Sequence, residues 1–341
     1  MRPVDPKRLY DVVVVGAGTA GLAAAMYAAR YLFKTAVVSK DYGGLGLWAH
    51  LVDNYLGLPG ITGPELMMKF KDHAQRMGAE FLLGEVHHTE KEDSRNHGQL
   101  FALHMKDGSH VHGRTLILAQ GTRRRKLDIP GEDQFAGKGV SYCATCDGPF
   151  FKGKTVAIVG GGDAAGTGAL LLAQYCPKVY LIARADSKDK LRIEPMTGQQ
   201  IEKEKKIELL LDNEISEILG QQTVKSVKLK KPYRGSGELA VEGVFIEIGG
   251  IPNSELAKTI GVELDEHGHV KVGDWMATSV PGVFAAGDVT EAMFNFDQFV
   301  TAAAEGSLAA TGAYQFLKGL PIPSWNAGHE HEESVEIQSR R

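Results

Sequence analysis

The chain has 341 residues, 43% of them hydrophobic and 23% charged, with a formal net charge of -4 at pH 7. That much apolar material builds a real core, and the length points to two domains rather than one. The faintly acidic balance and the scatter of basic residues exclude the electrostatic footprint of a nucleic-acid or anionic-membrane partner.

The N-terminal stretch Met1 to Tyr10 is polar, and the apolar run Val12 to Val15 stops at Gly16. That is too short for a secretory signal, and later apolar runs break well before the roughly 20 residues of a membrane span. A cytoplasmic protein is expected. From Asp11 the pattern reads strand (to Val15), glycine turn (Gly16-Ala-Gly18-Thr-Ala-Gly21), helix (Leu22 to Tyr31) and strand (Thr35 to Ser39), which is a βαβ unit. Such a turn lets the backbone approach a pyrophosphate whose charge then lies among the free N–H groups of a helix N-terminus. One motif alone is weak evidence, but the β-branched strand before it and the Ala/Leu-rich helix after it raise its value. FAD is the expected ligand of this first turn. A ribose-binding acid is expected at the end of the second strand; Ser39 and Lys40 stand there, and Asp41 is the nearest carboxylate.

Farther on, Arg123-Arg-Arg-Lys126 is a basic run read as an exposed linker. Next comes Cys143-Ala-Thr-Cys146-Asp147-Gly148, two thiols at a spacing that closes a small reducible ring able to exchange with another disulfide. Zinc is the alternative, but it needs four ligands and no second C-x-x-C or nearby His pair supplies them. Asp147 is placed to donate a proton to a leaving thiolate, or else serves as a turn or N-cap residue. A second βαβ unit follows: Thr155 to Val159, the turn Gly160-Gly-Gly162-Asp-Ala-Ala165, a helix to about Tyr175, and Val179 to Ile182. The lone Cys176 reads as a packing residue. Pro281-Gly-Val-Phe-Ala-Ala-Gly287-Asp288 is a short strand ending in Gly-Asp, and with the helix Phe299 to Leu317 it is expected to return to the first domain. From Pro321 onward no periodic pattern remains, and a tail with little structure is expected.

Gly16 to Gly21, Gly43-Gly44, Val52-Asp-Asn54-Tyr-Leu-Gly-Leu-Pro-Gly60, Cys143 to Gly148, Gly160 to Ala165 and Gly282 to Val289 occur in the order found in low-molecular-weight thioredoxin reductases, and the resemblance spans about Asp11 to Gly319. It implies an α/β protein with two Rossmann-like dinucleotide-binding domains of three-layer ββα build, the second inserted in the first. The boundaries are then 1–122 and 250–320 for the FAD domain, 123–249 for an NAD(P)H-binding-like domain carrying the cysteines, and 321–341 for the tail. By the same resemblance Gly16, Gly18, Gly21, Asp41, Gly43, Gly44, Asn54 and Gly287 belong to the FAD site, Asp288 binds the ribityl chain, and Gln298 lies near the isoalloxazine. Gly160, Gly162, Ala165 and Arg184 belong to the second nucleotide site. Cys146 is implied to be the thiol nearer the flavin, rotation about the two connections to bring the disulfide to flavin or to thioredoxin in turn, and a homodimer to be the assembly.

The sequence departs from this family at the second nucleotide site. NADPH-dependent members carry His-Arg-Arg and a later Arg for the 2′-phosphate. Here the stretch is Ala183-Arg184-Ala-Asp-Ser-Lys188-Asp189, in which only Arg184 remains and Asp189 stands where the later Arg is expected. A phosphate loses bidentate partners and meets like charge. Lys188, Lys190 or Arg192 are substitutes, although a solvated loop is the plainer reading. The NADPH site is thus degraded, no Glu or Asp at Ala183 marks the site for NADH either, and the donor is left open among NADPH, NADH, a ferredoxin and a reduced deazaflavin. Leu45 after Gly43-Gly44 and Asp297 before Gln298 replace residues that are commonly Gln and Arg, and Trp325 in the tail is a candidate to stack on the flavin. The leading functional expectation is an enzyme passing electrons from a reductant through FAD to the Cys143/Cys146 disulfide and then to a thioredoxin-like partner. The alternatives are a ferredoxin- or quinone-type flavin oxidoreductase and a redox-sensing binding protein.

Overall fold

The computed structural model describes residues 8–95, 98–293 and 296–320. The expected tail, 321–341 with Trp325, falls outside them. Among the described residues the elements are, in chain order, β1 (Leu9–Val15), α1 (Thr19–Arg30), β2 (Thr35–Ser39), α2 (Gly63–Arg76), β3 (Glu80–Leu83), β4 (Val86–Ser94), β5 (Gly98–Met105), β6 (His110–Leu118) and β7 (Thr122–Arg124), then β8 (Val140–Ser141), α3 (Ala144–Asp147), β9 (Thr155–Val159), α4 (Asp163–Tyr175), β10 (Lys178–Ile182), α5 (Pro195–Lys203), β11 (Ile207–Leu210), β12 (Ile215–Gly220), β13 (Val224–Tyr233), β14 (Ser236–Ala240), β15 (Gly243–Ile246), β16 (Gly250–Pro252), α6 (Glu255–Thr259), β17 (Val283–Ala285) and α7 (Phe299–Lys318). The chain divides into two compact units, one of Met1–Leu47, Leu51–Thr122 and Pro252–Arg341, the other of Trp48–His50 and Arg123–Ile251.

In the first unit, β3-β2-β1-β6 run in parallel, β5 and β4 continue the sheet antiparallel, and β17 adds parallel to β6. The Val-rich β1 sits between β2 and β6, with Val12, Val13 and Val14 fully buried. Near-continuous apolar strands of this kind are what a sheet covered on both faces requires. One face packs on α1 and α7 through Ala24, Ala28, Ala309 and Ala313; the other gathers Phe101, Leu103, Leu116 and Leu256. The small residues of α1 and α7 let those helices approach closely: a Cβ on Gly306 would lie 2.1 Å from the Ala20 carbonyl oxygen. β17 pairs with β6 and α7 packs against α1 in this unit.

The second unit repeats the plan with a parallel sheet ordered β11-β10-β9-β15-β8, and an antiparallel sheet β12-β13-β14 in place of helices over one face. Its two cores lie on opposite faces, around Leu172 and Leu181 toward α4 and around Val227 and Val244 toward the antiparallel layer. The fold is α/β with two dinucleotide-binding units, as the sequence implies. The meanders β4-β5-β6 and β12-β13-β14 are the parts the glycine-turn pattern does not reveal.

Candidate functional sites

In the first unit Gly16, Asp41 and Gly287 follow the C-terminal ends of β1, β2 and β17. Gly16 closes β1 at φ +106°, where a Cβ would stand 2.2 Å from the Ala119 carbonyl oxygen, and a Cβ on Gly21 would stand 1.9 Å from the Gly16 carbonyl oxygen. Both positions tolerate glycine alone because strand, turn and helix touch there through backbone. Gly18 differs: it caps α1 in an extended conformation, without a side-chain cap, and faces open space. The first turn of α1 holds no acidic residue, so its free N–H groups and the positive end of the helix dipole fit a pyrophosphate. Gly43 donates its N–H to the Ala17 carbonyl at 2.9 Å, and Gly44 follows at φ +52°, which sets this second glycine pair beside the first turn. Asn54 and Gln298, 244 positions apart, meet at 3.0 Å through Nδ2 and Oε1. Asp41 is exposed just beyond β2.

Gly287 adopts φ +80°, packs against Ala20, and donates its N–H to Glu305 Oε2 at 2.7 Å. Glu305 also accepts from Thr290 Oγ1 at 3.0 Å and is only 3% exposed. It is the one acidic residue of α7, and it pins the Gly287-Asp288 turn against the start of α1. Sequence reasoning missed it, although a lone Glu in an Ala-rich helix is a legible signal.

Burial, reinforced by the charges of Asp297 and Glu305, raises Asp288 from 3.8 to about 7. Asp297, one of the departures from the family pattern, therefore pushes the Asp288 carboxyl toward its neutral form. The folded state then binds a proton that the unfolded chain has released between about pH 4 and pH 7, so this group's contribution to stability falls as pH rises through that window. Asp288→Asn removes the effect. The flavin-free variant should melt several degrees above the flavin-free parent at pH 8 and together with it near pH 4, as thermal denaturation at the two pH values will show; the ceiling is about 4 kcal/mol for a three-unit shift. Equal melting temperatures at pH 8 would contradict the assignment.

In the second unit, Cys143 and Cys146 are joined as a disulfide with Cα atoms 5.3 Å apart. The short α3 positions them: Cys143 is its N-cap, with Sγ accepting the Cys146 N–H at 3.0 Å, and Ser141 Oγ accepts the Cys143 N–H at 3.1 Å. Cys143 is 6% exposed, whereas Cys146 faces solvent. Asp147, at the end of the turn, is partly buried. Just upstream, Tyr142 donates to the buried Glu132 at 2.7 Å, and Glu132 also accepts the N–H groups of Leu127 and Asp128. Burial and the Glu132 bond push the Tyr142 hydroxyl well above its ordinary range. The two sulfurs are bonded to each other, and among the described residues no group of three or more His, Cys, Asp or Glu could hold a metal ion. Cys176 is buried, its thiol pushed up to about 11 by burial, and it donates to the Phe151 carbonyl at 3.3 Å. It is a packing residue, as expected.

The second glycine turn lies in the same unit. Gly160 at φ +151° leaves no room for a Cβ, which would meet the Glu247 carbonyl oxygen at 2.2 Å and the Ala165 methyl at 2.8 Å. Gly162 caps α4 in an extended conformation, and Asp163 puts a carboxylate in the first turn, where α1 has none. Arg184 is exposed after β10. Of the expected substitutes, Lys188 and Lys190 pair with Glu202 at 2.8 Å and Asp186 at 2.7 Å. Arg192 instead bridges to the glycine turn, its N–H bonding the Gly161 carbonyl at 2.7 Å.

A glycine turn shaped for a pyrophosphate in each unit, with a solvent-reaching disulfide in the second, defines a dinucleotide-binding disulfide oxidoreductase. The chain belongs to the pyridine nucleotide-disulphide oxidoreductase family, whose pattern matches residues 10–306. It is 39% identical over 315 residues to a thioredoxin reductase of Treponema pallidum, covering 91% of this chain and 98% of the other. It is 36% identical over 318 residues to one of Listeria innocua, with coverage of 92% and 96%. Among solved structures, Lactococcus lactis thioredoxin reductase in its FR conformation matches with a TM-score of 0.84 at 37% identity, over 91% of this chain and all of that one. Thioredoxin reductase of T. acidophilum matches with a TM-score of 0.83 at 39% identity, over 91% and 99%.

Proposed function

We propose that this oxidoreductase is a flavin-dependent thioredoxin reductase in which electrons pass from a donor through FAD to the Cys143–Cys146 disulfide and then to the disulfide of a thioredoxin-like protein. The observation that carries the reading is the disulfide itself: two sulfurs on one short turn, one buried and one open to solvent. Bound FAD supplies the two-electron chemistry. In this reading the α1 N-terminus with Gly16, Gly18 and Gly21 holds its pyrophosphate, Gly43, Gly44 and Gly287 let backbone approach it, Asp41 and Asp288 serve its sugar hydroxyls, and the Asn54–Gln298 pair orients its ring. The chain's own work on the disulfide is to hold Cys143 under the turn, present Cys146, and supply Asp147 as proton donor to the sulfur that leaves as thiolate. Reduction of the partner breaks its S–S bond and remakes the Cys143–Cys146 bond, so two electrons leave and the enzyme returns to its starting state. No helix among the described residues is long and apolar enough to cross a membrane; a reducing compartment such as the cytoplasm suits a thiol of this kind. The test is reduction of thioredoxin by the purified flavoprotein with each candidate donor; failure with every donor overturns the reading.

The donor site carries its own prediction. With Lys188 and Lys190 already paired to carboxylates, and Asp163 and Asp189 adding negative charge in the segments that follow the second glycine turn and β10, NADPH should be preferred over NADH by less than about tenfold, short of what a bidentate phosphate clamp would provide. Ferredoxin and reduced deazaflavin remain donors of this proposal. Anaerobic bleaching of the flavin by NADPH, NADH, reduced ferredoxin and reduced deazaflavin, run in parallel, measures this. Rapid bleaching by micromolar NADPH with NADH inert would refute it.

A further inference from the structure

Glu247 lies in the apolar stretch Val244-Phe-Ile-Glu-Ile248 and is 6% exposed. Its N–H bonds the Val159 carbonyl at 2.8 Å, which fixes it beside the last residue of β9. A carboxylate in such a place costs several kcal/mol unless it is paired and hydrogen-bonded. Arg124 Nη1 stands 2.7 Å from Oε2, with the two side chains 19% and 5% exposed. The contact is an ion pair and not a hydrogen bond, because Glu247 Oε2 and Arg124 Nε both lack a hydrogen-bond partner among the described residues. The backbone amide of Ala144, the first residue inside the C-x-x-C loop, also favours the charged carboxylate. That same turn gives the Cys146 N–H to Cys143 Sγ. β15, which ends just before Glu247, pairs in parallel with β8, which ends two residues before Cys143, so the ion pair stands beside the turn and its charge is felt there.

We propose that Arg124 and Glu247 form a buried ion pair that positions the C-x-x-C turn and sets the acidity and redox poise of its reduced thiols. This rests on the reading of Cys143 and Cys146 as the working redox pair. Reduction of the disulfide consumes two electrons, delivered by the enzyme's donor, and two protons, or one proton where a thiolate remains. A nearby negative charge opposes the thiolate and a positive one favours it. As a pair the two side chains oppose each other in their effect on the thiols. Burial raises the Glu247 carboxyl to about 7 against the lowering effect of Arg124, so losing either partner disturbs the balance at neutral pH. The other ionisable groups about the turn are Asp147 on it, the Tyr142–Glu132 pair before it and Tyr175 of α4 against Gly148. They stay unchanged in the variants below.

The test uses the full-length flavoprotein, reduced and alkylated with iodoacetamide across pH, together with its equilibrium against glutathione. Glu247→Gln keeps the shape of the side chain and leaves the Arg124 charge unopposed. Its alkylation midpoint should fall by about one pH unit, and its disulfide should become about tenfold easier to reduce, roughly 30 mV for a two-electron couple. Arg124→Met should move the midpoint up. The double variant should return toward the parent, which a merely structural role would not predict. If both single variants shift the same way, or if Glu247→Gln leaves the midpoint in place, the proposal is overturned. Should one single variant fail to fold, the sign of the other decides: a fall for Arg124→Met or a rise for Glu247→Gln overturns it, and the opposite sign supports it. A parent protein whose cysteines cannot be reduced would defeat the functional reading instead, so the two failures are distinguishable.

Discussion

Cys143→Ser and Cys146→Ser should each lower thioredoxin reduction on the order of a thousandfold or more, as loss of one member of a catalytic unit does, while FAD stays bound. Disulfide exchange needs one sulfur to attack and a second to resolve the mixed disulfide. With either removed no internal S–S bond can be remade, so electrons cannot pass through the pair in a cycle. The residues proposed for FAD all lie in the first compact unit and both cysteines in the second, which is why flavin absorbance should survive. The variants should nonetheless differ in trapping. Each variant retains one thiol, so incubation with excess oxidised partner should trap a mixed disulfide on the thiol that attacks the partner and not on the one that faces the flavin. Substantial turnover in both variants would show that the disulfide is not on the electron path.

Much of this was legible in the sequence because the informative residues obey strict local rules. Gly16 and Gly160 have positive φ and no space for a Cβ, so glycine is forced and the motif can be read. The two βαβ units, the strand ending at Ala285 and the helix from Phe299 follow from periodicity and β-branched runs. The antiparallel layers were not legible. Strands such as Val86–Ser94 and Val224–Tyr233 alternate charge with a few apolar residues, and such a pattern reads equally well as a solvated surface. The carboxylates that hold the sites together were missed for a different reason. Glu132, Glu247 and Glu305 are buried, and their partners lie elsewhere along the chain: Arg124 for Glu247, and Gly287 and Thr290 for Glu305. Long-range pairing leaves no mark at fixed spacing. The loop after β10 shows the same limit in reverse, since Arg192 looked like any residue of a charged run until its backbone was found bonded to Gly161.

Two glycines of the first turn should separate folding from ligand binding. Gly21→Ala puts a methyl 1.9 Å from the Gly16 carbonyl oxygen, and because that neighbour is backbone, α1 must move away from β1. The cost should reach about 3 kcal/mol or more, seen as a large fall in melting temperature and in soluble yield. Gly18→Ala meets nothing within 4 Å and sits at φ -76° and ψ -173°, which any residue adopts. The flavin-free variant should therefore melt with the parent. Its new methyl occupies the open space at the helix N-terminus that the pyrophosphate is proposed to fill, so FAD affinity should fall at least about tenfold, the loss of roughly 1.4 kcal/mol. Calorimetric titration of FAD into the flavin-free proteins checks both halves. If Gly18→Ala binds FAD as tightly as the parent, the pyrophosphate does not lie against this turn; if Gly21→Ala melts normally, the close contact between α1 and β1 is not what holds the turn in shape.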